Sequence, residues 1–285
     1  MYWDILKYKL LVDNTITMEI NGCHVIPART HHAVQAAMFV LELPAQISSE
    51  ILKASLAHYE QSVLLKELFP EKTQSLGVSI DLSTNTVTST QSDNIQGLTF
   101  QRNSAEGQPE LIFSIQGNQL AYTCNVYTRW SEVFNQAKEI LNQFIPLICP
   151  VPGVAVIGLQ YVDEFFVTGN LNEFNSAIIF SEDTKRLPLS VFHEKDFWHN
   201  HSGWFENTEN DGRILNNLNI SYYPQQHDKN AIQLISAHRY MFKTPISDKD
   251  LLENTIQDIF EKLHAGNKTM FKEILNIETS RSISL

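Results

Sequence analysis

The sequence predicts an α+β fold, a mostly antiparallel sheet with long helices packed on it. Three observations predict it. Strand-like segments follow one another through turns, three long helical stripes interrupt them, and the regular strand–helix alternation of a parallel sheet is missing. In the first half the order is strand, helix, several strands, helix, which sets the helices on one sheet face. The segment Cys149-Pro150-Val151-Pro152-Gly153 is a candidate boundary between residues 1–150 and residues 151–285. Both sides of it are apolar, so the halves are expected to be structurally coupled, or one continuous domain.

Taken in order, Trp3 to Ile26 holds short mixed apolar runs and reads as one or two strands. In Ala33 to Leu43, Val34, Ala36, Met38 and Val40 alternate with Gln35, Ala37, Phe39 and Leu41, so both faces are largely apolar and the strand should be covered on two sides. A helix is expected from about Ser48 to Phe69, on the stripe Leu52, Leu56, Tyr59 and Val63, with a serine cap and Pro70 as a stop. Leu76, Val78, Ile80 and Leu82 form a half-buried strand, and the polar stretch Ser83 to Gln96 an exposed edge strand with its turn.

Leu111 to Gln116 and Gln119 to Tyr127 flank Gly117-Asn118, a two-residue hairpin signal. A second helix, Ser131 to Ile148, carries Val133, Phe134, Ala137, Ile140, Leu141, Phe144 and Ile148 on one stripe. Val154 to Thr168 is a long strand, and Gly169 to Gly212 reads as irregular. Strands over Leu218 to Tyr223 and Ile232 to Phe242 lead to a last helix. Its start is expected at Ser247, in a capping box with Asp250, and a break or kink at Gly266.

Composition narrows the class. Apolar residues make up 43% of the 285 and charged residues 19%, a globular balance. The 21 basic against 32 acidic residues give a net charge of −11, which argues against a general nucleic-acid binder, since duplex affinity is largely phosphate neutralisation. Cys23, Cys124 and Cys149 are odd in number, far apart and without a CxxC pair, so neither a disulfide framework nor a thiolate zinc site is expected. MYWDILKYKLLVDN lacks the features of a secretory leader, and the densest apolar stretch, Val151 to Tyr161, is broken by Pro152, Gly153 and Gly158. A cytoplasmic protein is expected.

HHAVQAAMFVLELP, LFPE, VYTRWSEVFNQAKEI, IGLQYVDEFFV and IFEKLHAGNKTMFKEIL stand in that order along the chain. In sequence and spacing they resemble a sporadically distributed bacterial protein family of unknown function, over roughly Pro27 to Leu275. The central motif departs from the family pattern, with Gln160 where Arg is usual and Asp163 where Asn is usual. The resemblance implies a soluble intracellular protein and carries no catalytic residues with it.

The densest group of chemically able side chains is His193-Glu194-Lys195-Asp196-Phe197-Trp198-His199-Asn200-His201. His199 and His201, two apart, would share one face of a strand, and Glu194 or Asp196 could complete a divalent-metal site with an open position. The spacing matches no HExxH-type pattern, and the ordinary reading is a polar loop whose histidines hydrogen-bond. Glu194 and Asp196 flank Lys195 without the spacing of a carboxylate-plus-lysine phosphodiesterase core. His31 and His32 precede an apolar strand, where only one can face a pocket. His264, Asn267 and Lys268 sit beside Gly266, where a helix interruption would line a pocket and a surface cap is the plainer reading. Asp163 and Glu164 lie within the long strand, and an inward carboxylate there needs a partner. No phosphate-binding glycine loop, GxSxG elbow or cysteine with a motif-like histidine occurs.

Trp130, Trp198, Trp204, Tyr222 and Tyr223 fall near expected loops and strand ends, where they would serve core packing or a protein interface. The leading functional expectation is a non-catalytic interaction factor, an accessory, immunity or antitoxin-like component of bacterial defence. Its acidic surface suits a basic protein partner such as a nucleic-acid enzyme, and it needs no cofactor. The alternatives are a metal-dependent hydrolase or nuclease at His193 to His201, and a small-ligand sensor with a pocket between sheet and helices.

Overall fold

The computed structural model describes residues 9–10, 16–20, 22–29, 32–81, 88–149, 151–208, 212–224 and 229–283. Trp3, His31, Leu82, Pro150 and the 83–87 part of the expected edge strand lie outside them. The chain begins with β1 (Lys9–Leu10), β2 (Ile16–Ile20), β3 (Cys23–Pro27) and β4 (Val34–Glu42). There follow α1 (Ser49–Gln61), α2 (Val63–Leu68), β5 (Glu71–Asp81), β6 (Thr88–Asn103), β7 (Pro109–Gln116), β8 (Gln119–Cys124) and α3 (Trp130–Ile148). After β9 (Val154–Gly169) come three short 3-10 turns, then β10 (Trp198–Asn207), β11 (Arg213–Pro224), β12 (Asn230–Ile246), α4 (Lys249–Ile274) and α5 (Ile277–Ser282).

The fold is α+β, and the described strands form one 12-stranded sheet with every pairing antiparallel. β9 is its hub. Along one edge it pairs with β12, from Val154 to Val167. The other edge is divided: β4 takes it from Val156 to Asp163, and β3 from Phe165 to Gly169. Beyond β4 the sheet continues through β8, β7, β6 and β5; beyond β3, through β2 and β1; beyond β12, through β11 and β10. The sheet therefore forks at Asp163–Phe165.

Alternation in β9 explains its two faces. Ile157, Leu159, Tyr161, Phe165 and Val167 are buried on the side that faces the helices. There, α1, α3 and the first half of α4 seal one apolar core around Phe39, while Met270, Phe271 and Ile274 of α4 belong to a second. Phe39 stacks against Trp130 and Phe134 and meets Phe260 edge-on, which ties β4 to α3 and α4. On the opposite face no second layer covers β4 among the described residues. Instead the sheet curls, so that Met38 and Val40 line a hollow of its own together with Gln160, His201 and Asn219.

Several expected boundaries move. The first helix is two: Ser62 takes an extended conformation, and its hydroxyl accepts from the Leu65 N–H to start α2. α4 is capped by Asp248, whose carboxylate accepts from the Leu251 N–H at 2.9 Å, rather than by Ser247, and it runs through Gly266 without a break. β10 occupies part of the stretch expected to be irregular. Among the described residues no helix is long and apolar enough to cross a membrane.

Candidate functional site

Between the two apolar cores runs a belt of buried polar side chains. On β9 Asp163 separates Tyr161 from Phe165; on β12 Ser236 and His238 separate Leu234 from Tyr240; on β11 Asn216 separates Ile214 from Leu218. Asn267 on α4 lies over the belt, between Leu263 and Met270. Most of these groups are satisfied. His238, 2% exposed, places Nδ1 2.6 Å from Asn216 Oδ1 and Nε2 3.0 Å from Asn267 Oδ1, and burial lowers its pKa. Ser236 donates to Asn267 Oδ1 at 2.7 Å, and Asn216 donates to Glu206 at 2.9 Å.

Asp163 is the exception. It is 3% exposed, its Oδ2 is buried, and that atom has no hydrogen-bond partner. A buried acceptor left without a donor costs about 1–3 kcal/mol. Burial alone raises the carboxyl from the ordinary 3.8 to about 7. Its placement follows from the fork. Val34 pairs with Asp163 and Ala36 with the next residue back, Val162, so Gln35 is an extra residue in β4, a bulge beside the point where β4 leaves β9. Such bulges recur where a sheet must re-aim side chains.

A cavity of about 340 Å³ opens at this place. His32, Ala33 and Val34 line it from the β3–β4 connection and the start of β4, and Tyr127, Thr128, Arg129 and Trp130 from the turn into α3. β9 gives Tyr161 and Asp163, and α4 gives His264, Asn267, Lys268 and Phe271. His264 stacks flat on Trp130, with centroids 4.0 Å apart, and its Nδ1 is 2.8 Å from the Tyr161 hydroxyl. Burial, with Lys268 adding to it, lowers the His264 pKa to about 4, and burial raises that of Tyr161. The imidazole is therefore neutral and shares a single hydrogen bond with the Tyr161 hydroxyl. Tyr127 meets the rings of His32 and Tyr161 edge-on. Arg129 is paired with Glu132, and the Trp130 indole donates to Glu261 at 3.1 Å.

The sequence points to His32, to Asp163 and to the group His264, Asn267 and Lys268 as separate candidates, and the fold gathers them around one cavity. Tyr127, Arg129 and Tyr161 were not singled out, although they lie within the quoted segments VYTRW and LQYVD.

The 193–201 cluster is arranged differently. His199 and His201 do share one exposed face of β10, where they bond across the ladder to Ser221 and Asn219 of β11. His193 lies beyond the last 3-10 turn. The Glu194 carboxylate accepts the N–H groups of Lys195 and Asp196, and Asp196 accepts that of Phe197. Among the described residues no three His, Cys, Asp or Glu are grouped to hold a metal ion. Of the aromatics, Tyr222 is buried and stacked on Phe174, Trp198 is half-buried near Phe180, and Trp204 lies under the Arg186 guanidinium at 3.9 Å. The Tyr223 hydroxyl donates to Glu164 at 2.8 Å.

Fold and site together define an α+β protein with an aromatic-walled cavity over a buried carboxyl. Comparison with protein-family models, with curated proteins and with solved structures finds no match to this chain.

Proposed function

We propose that the protein binds a small molecule in the cavity at the sheet fork, as a sensor or carrier. The observation that carries the reading is Asp163, a buried carboxyl whose Oδ2 has no partner, on the wall of a cavity whose volume lies in the range of about 300–1,000 Å³ typical of ligand sites. A buried carboxyl without a donor, beside a cavity, is the kind of group a ligand's donor completes. The reading is tested by native mass spectrometry of the protein taken from its own cells. We expect a small-molecule adduct that denaturation releases and that Thr128→Trp, at the exposed rim, excludes. A protein without adduct, whose melting temperature no metabolite in a broad library shifts, would overturn it. The free cysteines at 23, 124 and 149 support a cytoplasmic setting.

A second reading, an interaction factor in a bacterial defence system, is favoured by one observation. Phe197, just before β10, and Phe205, within it, are 49% and 59% exposed, and β10 pairs with β11 alone among the described strands. Retention of one stoichiometric partner in a pull-down, lost with Phe205→Glu, supports it; retention unchanged by that substitution counts against it.

A further inference from the structure

We propose that the cavity's ligand is a small organic cation, an ammonium or amidinium whose N–H groups bond Asp163. This rests on the cavity being a ligand site. Asp163 Oδ2 lacks a donor, and a charged N–H group supplies donor and countercharge together, the pairing that a desolvated carboxylate requires. Among the described residues no other acidic side chain lines the cavity. Tyr127, Tyr161 and Phe271 are among the lining side chains, and rings of this kind favour cations over anions near their faces. At long range the net charge of −11 draws cations toward the protein.

Two lining groups carry the opposite sign. Arg129 is offset by its ion pair with Glu132. Lys268 has no ion pair among the described residues and opposes a cation, so the response to its removal fixes the sign of the ligand.

The test uses three planar molecules of nearly one shape: benzamidine, benzamide and benzoate. Tyramine and agmatine serve as further cations, and binding to the full chain is followed by isothermal titration calorimetry. We expect the cations to bind and benzamide to bind roughly tenfold or more weakly, the worth of one charge-assisted hydrogen bond. Benzoate should not bind. Asp163→Asn should abolish the preference for benzamidine over benzamide, and Lys268→Ala, an exposed position with little bearing on folding, should tighten cation binding. Binding of benzoate that Lys268→Ala weakens would overturn the inference and leave the ligand-site reading standing. Failure of all three cations would overturn it too, and the native adduct would then decide the ligand-site reading separately. An adduct lacking a basic nitrogen would have the same division of consequences.

Discussion

Asp163 sets a pH dependence whose sign can be worked out. In the unfolded chain it loses its proton near 3.8, whereas burial in the folded chain holds it to about 7. Between those values the folded state binds the extra proton, so stability falls as pH rises from about 4 to about 7 and then levels off. At about 1.4 kcal/mol per pH unit, the full penalty is roughly 4 kcal/mol. Asparagine of nearly the same shape escapes it. Asp163→Asn is therefore expected to melt close to the wild type at pH 4 and well above it at pH 8, as followed by circular dichroism. A gap that stays constant across that range would show that the carboxyl does not titrate as described. A residue that costs stability in this way belongs with binding rather than with packing.

At the scale of elements, the connection between α3 and β9 depends on one glycine. The N–H of Gly153 bonds the Ile148 carbonyl at 2.9 Å and closes α3, and its φ is +75°. A Cβ there would stand 2.6 Å from Ser247 Oγ and 2.7 Å from the Ile246 carbonyl oxygen. Gly153→Ala should lower stability by about 1–3 kcal/mol in urea unfolding, through strain and displacement of the start of α4. A variant as stable as the parent would mean that the turn adapts freely. The stop itself was legible in Cys149 to Gly153, as were the hairpin at Gly117-Asn118 and the alternating strands, because each is encoded within a few neighbouring residues. What escaped was decided between elements or between adjacent caps. Ser62 falls inside an unbroken helical stripe, and Asp248 displaces Ser247 as the cap of α4. β10 alternates Trp198, Asn200, Ser202 and Trp204 inward against His199, His201, Gly203 and Phe205 outward, a pattern too polar to read as a strand. A pocket between sheet and helices is among the expectations, but its make-up escaped for the same reason. His32, Asp163 and His264 belong to separate elements, and only the fork in the sheet brings them together.

For the whole molecule, the question is whether residues 1–150 and 151–285 fold apart. β9 follows the boundary in sequence, yet it takes β3 and β4 from the first part on one edge and β12 from the second on the other. α4 likewise contributes Leu252, Ile256, Phe260 and Leu263 to one apolar core and Met270, Phe271 and Ile274 to the other. Phe39 of β4 rests on Phe260 of α4, so either fragment alone would expose an apolar sheet edge and face. The polar belt between the cores weakens apolar contact there, but the continuous strand and helix on either side of it carry the coupling. We therefore expect one calorimetric transition whose measured enthalpy equals its van't Hoff enthalpy, reported at the same temperature by near- and far-ultraviolet circular dichroism. Two resolved transitions would instead mark the belt as a boundary between independently melting units. They would also place the cavity on that boundary, where ligand binding would then raise both midpoints together.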